Sequence, residues 1–159
     1  MRKLLFMSML VGLSFSAATH VGLQSKQIND ENSANVELVI NSKKDIHGIQ
    51  FDISFDSNEV QFGSASIDGN YTLETKEIED GLLRAIVFSM EGKAIANSIN
   101  LNFLPLNNFE GNSQINFKEL ILADQNGQEI EAQTSSHEIS FVRTPIKTAI
   151  NSTYPNPFN

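Results

Sequence analysis

The chain contains no cysteine and no tryptophan, and it has only two tyrosines and four prolines in 159 residues. Without cysteine no disulfide can restrict the unfolded chain, so the fold depends on core packing. Thiol catalysis and thiolate metal sites are excluded for the same reason. The lack of tryptophan removes the broadest planar side chain that a stacking platform could use.

No apolar run is long enough to span a bilayer as a helix, which needs about 20 residues. The apolar stretch nearest the N-terminus, Leu4 to Phe15, is shorter than a membrane-spanning helix. Arg2 and Lys3 precede it, and small residues follow. This order predicts a secretory signal peptide over residues 1–18 with cleavage after Ala18. An uncleaved anchor is the weaker alternative, and a lipidated cysteine is excluded.

Basic residues are scarce. The formal net charge is −8 for the whole chain, and it becomes −10 once Arg2 and Lys3 are removed. The longest basic run is the pair Lys43 and Lys44, so nucleic acid is not expected as a partner. The 141 residues left without residues 1–18 are enough for one domain with a sizeable core but not for two, so we expect one domain, residues 19–142, and a tail.

Most of this region reads as short strands with period-two alternation, separated by turn clusters rich in Gly, Asn and Asp. No segment sustains a helical spacing, so we expect almost no helix. The pattern predicts an all-β, antiparallel jelly-roll sandwich of about nine strands. The predicted runs are 35–41, 49–55, 60–65, 71–78, 82–90, 99–106, 115–122, 129–133 and 138–142.

The inward positions of these runs predict the core. They are Val36, Leu38, Ile40, Ile49, Phe51, Ile53, Phe55, Leu101, Phe103, Ile115, Phe117 and Ile139.

One run, Leu82–Met90, is apolar on both faces. Leu83, Ala85 and Val87 take one side, whereas Ile86, Phe88 and Met90 share the other with Arg84. Two interpretations stay open: a central strand whose outer face is covered by a loop, or a surface that binds a partner.

Signals of chemistry are weak, so we do not predict an enzyme, a metal or a cofactor. The histidines His20, His47 and His137 are far apart and have no metal-ligand spacing. The stretch DQNGQE at residues 124–129 departs from a calcium loop in the position of its Gly, and it predicts a hairpin turn instead. No nucleophile elbow or phosphate-binding loop occurs.

Three blocks of sequence resemble a known family. They are VELVINSKKDIHGIQFDISFDSNEVQF, RAIVFSMEGKAI and INLNFLPLNNFEGNSQINFKELILADQNGQEI. In this order they resemble cohesin-type domains, over about residues 21–142. The resemblance implies a nine-stranded jelly roll that binds a protein partner, in the better known members a dockerin module, through one sheet face.

The strands that meet the partner in that family resemble two strands here. The match is between strands and not between identical side chains. Together with the alternation along these strands, it predicts a set of partner-binding residues. The set is Gln50, Asp52, Ile86, Phe88, Met90 and Glu91.

The tail NSTYPNPFN resembles the start of the C-terminal sorting module of type IX secretion substrates, found in Bacteroidetes and their relatives. Its two prolines make a stiff, extended joint. Residues 143–159 are therefore predicted to be a linker and the first part of a truncated sorting module. The protein would then be secreted and would act outside the cell or at its surface.

Three non-enzymatic functions compete: a protein-binding module of cohesin type, a carbohydrate-binding module, and a structural spacer of a larger surface protein. Sugar binding usually uses planar aromatic platforms. With no tryptophan and most Phe residues at alternating core positions, the sequence makes polysaccharide the less favoured partner.

Overall fold

The computed structural model describes residues 18–26 and 33–142. Within these residues the chain forms ten strands and no helix. The strands are β1 Thr19–Lys26, β2 Ala34–Asn41, β3 Gly48–Ser54, β4 Val60–Ile67, β5 Thr72–Glu79, β6 Leu82–Phe88, β7 Ile99–Pro105, β8 Gly111–Ala123, β9 Ala132–Ser135 and β10 His137–Phe141.

The strands form two five-stranded sheets, which pack face to face as a jelly-roll β-sandwich. Sheet A has the order β4-β7-β2-β1-β9, and sheet B has the order β10-β8-β3-β6-β5. All pairs are antiparallel except β1 with β9, which are parallel. The predicted all-β sandwich is confirmed.

The first strand, β1, was not predicted from the sequence. β1 pairs with β2 over seven residues and with β9 over four, and it buries Val21 and Leu23. Only these two apolar residues alternate before the polar sequence Gln24 to Lys26, which is too short a pattern to recognise. The strand is held instead by its two neighbours.

A β-bulge in β8 changes which side chains face the core. Ile53 of β3 pairs with Phe117, but Asp52 pairs with Glu119, so Lys118 is the extra residue. Because side chains alternate, the extra residue turns the following part of β8 over. Leu122 is therefore buried, whereas Ile121 points outward.

The core lies between the sheets and includes the predicted set, together with buried residues outside that set such as Val60 and Ile99. Ten of the twelve predicted residues are buried, and Ile40 and Phe117 are half-buried against the same cluster. Phe51 is fully buried and meets the Phe117 ring edge to face at 6.4 Å. Residues 1–17 and 143–159, the predicted signal peptide and sorting segment, lie outside the described residues.

Two of the predicted turns are built by aspartates that bond their own backbone. The Asp124 carboxylate accepts the N–H groups of Asn126 at 2.8 Å and Gln128 at 2.9 Å, so DQNGQE is a hairpin turn. Asp56 accepts the N–H of Asn58 at 2.8 Å in the same manner. The part of the chain that the structure describes has no helix long and apolar enough to cross a membrane.

Candidate functional site

The outer face of sheet B carries an apolar row broken by one amide. Gln50 of β3 pairs with Ile86 of β6 on one side and with Ile121 of β8 on the other. Ile86 is 40% exposed and Ile121 is 38% exposed. One step along, Phe88 is half-buried and lies opposite Gly48, which has no side chain. Sheet B thus presents apolar side chains to solvent near its centre.

The next row on the same face is charged. Asp52 of β3 pairs with Arg84 of β6 and with Glu119 of β8, and Lys76 of β5 pairs with Arg84. The Arg84 Nε donates to Asp52 Oδ1 at 2.7 Å, and Nη2 donates to Oδ2 at 2.6 Å. The Glu119 carboxylate lies farther from Arg84 Nη2, at 3.4 Å. A two-pronged arginine–carboxylate pair therefore borders the apolar row.

The two members of this pair differ in exposure. Asp52 is only 5% exposed, whereas the Arg84 side chain is 39% exposed. The hydrogen bonds that Arg84 donates to the Asp52 carboxylate raise the pKa of Arg84, so its guanidinium stays charged. The exposed charges of this row are therefore Arg84, which Asp52 holds in place from the neighbouring strand, and Glu119 and Lys76 on either side of this pair.

Met90 and Glu91 are not part of the strand. The run 82–90 was predicted as one strand, but β6 ends at Phe88, and the N–H of Gly92 donates to the Ser89 carbonyl at 3.2 Å in a turn. Met90 is 82% exposed at this turn. The prediction that period-two alternation places Met90 on the outer face of the strand is wrong, because the chain turns before it.

Glu91 is tied to a neighbouring loop. Its carboxylate accepts a hydrogen bond from Asn70 Nδ2 at 2.6 Å and pairs with Lys93 at 2.5 Å. Asn70 belongs to the connection between β4 and β5. Met90 and Glu91 therefore lie in the turn that follows β6, beyond Phe88.

The structure thus brings Gln50, Asp52, Ile86 and Phe88 together on one face, as alternation together with the strand order implied by the family resemblance had predicted. It adds Ile121 and Glu119, which were not predicted from the sequence. The spacing of three between Phe117 and Leu120 in NFKELIL was the available signal, since it breaks the period of two where the bulge occurs.

No metal centre is found among the described residues, in which no three His, Asp or Glu side chains come close enough to hold an ion. The Nε2 atom of His137 in β10 forms a hydrogen bond of 2.8 Å with the hydroxyl of Ser25 in β1, and this bond links sheet B to sheet A.

Known structures share this fold at low identity. A cohesin module from the family 33 glycoside hydrolase of Clostridium perfringens superposes with a TM-score of 0.62 and 15% identity, over 77% of this chain and 97% of that one. A non-cellulosomal cohesin from the archaeon Archaeoglobus fulgidus gives 0.64 and 11%, over 80% and 93%.

A third neighbour was solved with a partner. The sixth cohesin of scaffoldin B from Acetivibrio cellulolyticus, in complex with a mutant Cel5 dockerin, superposes with a TM-score of 0.64 and 14% identity, over 79% of this chain and 99% of that one. No protein-family model matches the chain, and no curated protein matches it either. The chain therefore has a cohesin-like fold, and its sequence lies far from these cohesins.

Proposed function

We propose that this chain is a non-catalytic protein-binding module that engages its partner through the outer face of sheet B. The observation that carries the proposal is the exposed row of Ile86, Gln50 and Ile121 beside Arg84. An apolar centre bordered by polar groups is the usual anatomy of a protein interface, and Arg is enriched at its energetic centre.

Three further side chains of the predicted set would extend this surface. Phe88 lies next to the apolar row, and Met90 and Glu91 follow it at the turn beyond β6. A flexible, polarisable Met is common at binding surfaces. Asp52 would contribute by orienting Arg84, because its carboxylate is covered.

A dockerin-like module is the first partner to test, because cohesins of the same fold have been crystallised with dockerins. The full chain would be titrated calorimetrically with purified dockerin modules. We expect at least one module to bind, and we expect Gln50→Ala and Ile121→Ala to weaken binding. Ser66→Ala, on an exposed residue of β4 in sheet A, is the control.

Binding that is unchanged in both sheet B variants, or that is lost in the control, would contradict the assignment of this face. A spacer function would give no binding to any module, with the fold intact.

We also propose that the protein is exported and acts outside the cell or at its surface. The support is the charged, apolar and small-residue order of residues 1–18 and the tail sequence YPNPFN. N-terminal sequencing of material from the growth medium or the cell surface should give Thr19 as the first residue. Recovery of intact Met1 in the membrane fraction would contradict cleavage.

A further inference from the structure

A polar groove of about 470 Å³ lies on the other sheet, away from the proposed protein-binding face. Its floor is the outer face of sheet A around Val39, and its walls are the β2–β3 connection and the loop that precedes β7. The volume is within the range of about 300 to 1,000 Å³ that is usual for small-ligand sites. The groove is thus large enough for a ligand and separate from sheet B.

Both walls are fixed by hydrogen bonds, so the groove is preformed. The N–H of Ile95 donates to the Ile46 carbonyl at 2.6 Å, which joins the two walls at their base, where both side chains are buried. The Tyr71 hydroxyl donates to the Ala94 carbonyl at 2.9 Å, and Asn97 Nδ2 donates to the Asp68 carbonyl at 2.6 Å. A preformed site avoids part of the entropy cost of ordering on binding.

One carboxylate in the groove is oriented by two donors. Ser98 donates its hydroxyl hydrogen to Glu37 Oε1, and Gln24 Nε2 donates to Glu37 Oε2 at 2.9 Å. These hydrogen bonds, that from Ser98 first, lower the pKa of Glu37. Each carboxylate oxygen has further lone-pair sites, so Glu37 can still accept hydrogen bonds from a ligand.

The remaining lining decides the chemistry of the ligand. Lys44 and Asp45 bring opposite charges to one wall, while Val39 and Ala96 provide small apolar surfaces. The carboxylates of Glu37 and Asp45 disfavour an anionic ligand, Lys44 disfavours a strongly cationic one, and the many hydrogen-bonding groups disfavour an apolar one. We propose that this groove binds a neutral, hydroxyl-rich ligand, an oligosaccharide, through hydrogen bonds to Glu37, Ser98 and the neighbouring wall residues.

This site would differ from an aromatic sugar-binding platform. Among the residues that the structure describes, no aromatic ring lines the groove, so affinity without stacking would be weak, with a dissociation constant of about a millimolar. Because sheets A and B face opposite sides of the sandwich, a saccharide in the groove would leave the outer face of sheet B free. The proposal is therefore independent of the protein-binding function.

The test is a titration of the ¹⁵N-labelled full chain with cellotetraose, xylotetraose and mannotetraose, followed by NMR. Tetralysine and tetragalacturonate serve as cationic and anionic probes. We expect at least one neutral tetrasaccharide to give saturable shifts at Gln24, Asn97 and Ser98. Glu37→Gln should weaken that binding about tenfold, since a hydrogen bond to a charged acceptor is lost.

Ser98→Ala is the second groove variant, and it tests the same hydrogen-bond network if Glu37→Gln does not fold. The matched control is Ser66→Ala, which removes an exposed hydroxyl from the same sheet outside the groove. The proposal is overturned if no neutral tetrasaccharide shifts groove signals, if the shifts map to the outer face of sheet B, or if a charged probe binds in their place. Equal binding by the folded groove variants and the control would also overturn it.

Discussion

Arg84 and Asp52 face each other across β6 and β3 as directly paired residues, and the guanidinium grips the carboxylate with two hydrogen bonds of 2.7 and 2.6 Å. Matched two-pronged geometry makes such pairs both strong and directional. Because Asp52 is buried and Arg84 is partly exposed, the Asp52 carboxylate positions the Arg84 guanidinium at the edge of the apolar row.

Asp52→Ala should therefore lower the urea midpoint of unfolding, because it removes the fixed partner of Arg84 and leaves a gap under the guanidinium. Glu119→Ala is the matched comparison. Its carboxylate is half-exposed and lies 3.4 Å from Arg84, so we expect little change. A larger loss from Glu119→Ala than from Asp52→Ala would show that the pair is not the main constraint on Arg84.

Phe88→Ala should weaken partner binding by more than about 1 kcal/mol while the domain stays folded, because Phe88 lies on the outer face of β6. Calorimetric titration with a dockerin module that binds the parent chain, together with a urea melt, measures both effects. If the unfolding midpoint instead falls as it does for a core truncation, Phe88 belongs to the core and not to the binding surface.

Val87→Asp provides the contrasting variant one residue away. Val87 is fully buried, so the substitution would place an unpaired charge in the core and unfold the domain. Circular dichroism of the purified variant checks this. A folded Val87→Asp protein would mean that the two faces of β6 are assigned the wrong way round.

Phe51→Ala should cost about 3 to 5 kcal/mol of unfolding free energy, because the fully buried ring leaves a cavity that its neighbours cannot fill. Phe117→Ala, at the half-buried partner of the same ring pair, should cost less. Urea titration of both variants measures the difference. A loss below about 1 kcal/mol for Phe51→Ala would indicate a register error of one residue.

Substitution of two glycines that have the same φ angle can distinguish the cost of backbone strain from the cost of a steric clash. Gly81 and Gly127 both have φ of +74°, but a Cβ at Gly81 would lie 2.4 Å from the Phe55 carbonyl oxygen, whereas none lies within 4 Å at Gly127. Gly127→Ala should therefore cost about 1 to 2 kcal/mol from strain alone. Gly81→Ala should cost clearly more in the same urea melts, and equal losses would contradict the close approach.

The Asp124 turn should make stability depend on pH in the acid range. Backbone hydrogen bonds, that from Gln128 first and then that from Asn126, lower the pKa of Asp124 below its usual range. A lowered folded-state pKa contributes stability that is present above the unfolded value and is lost as the pH falls through the folded value. Asp124→Asn keeps an acceptor oxygen but has no charge to titrate.

Thermal melts of the parent chain and Asp124→Asn should thus differ at neutral pH and converge below about pH 4. If the difference in melting temperature between the two proteins stays constant through the acid range, the charge of Asp124 does not contribute to the stability of the turn.

The sequence by itself determined the fold class, the alternation and most of the core. In GIQFDISFD, Ile49, Phe51 and Ile53 repeat every second residue, and this repeat places all three inward whatever the neighbouring strands are. The same rule separated Val87 from Phe88. These are local consequences of strand geometry, and one segment is enough to read them.

Tertiary structure decided what depends on two strands at once. The bulge at Lys118 turned Ile121 outward beside Gln50, and the pairing of β3 with β6 brought Asp52 under Arg84. The groove joins Glu37 of β2 to Ser98, 61 residues later in the chain. No local period encodes these contacts, because they arise only when the register between separate strands is fixed.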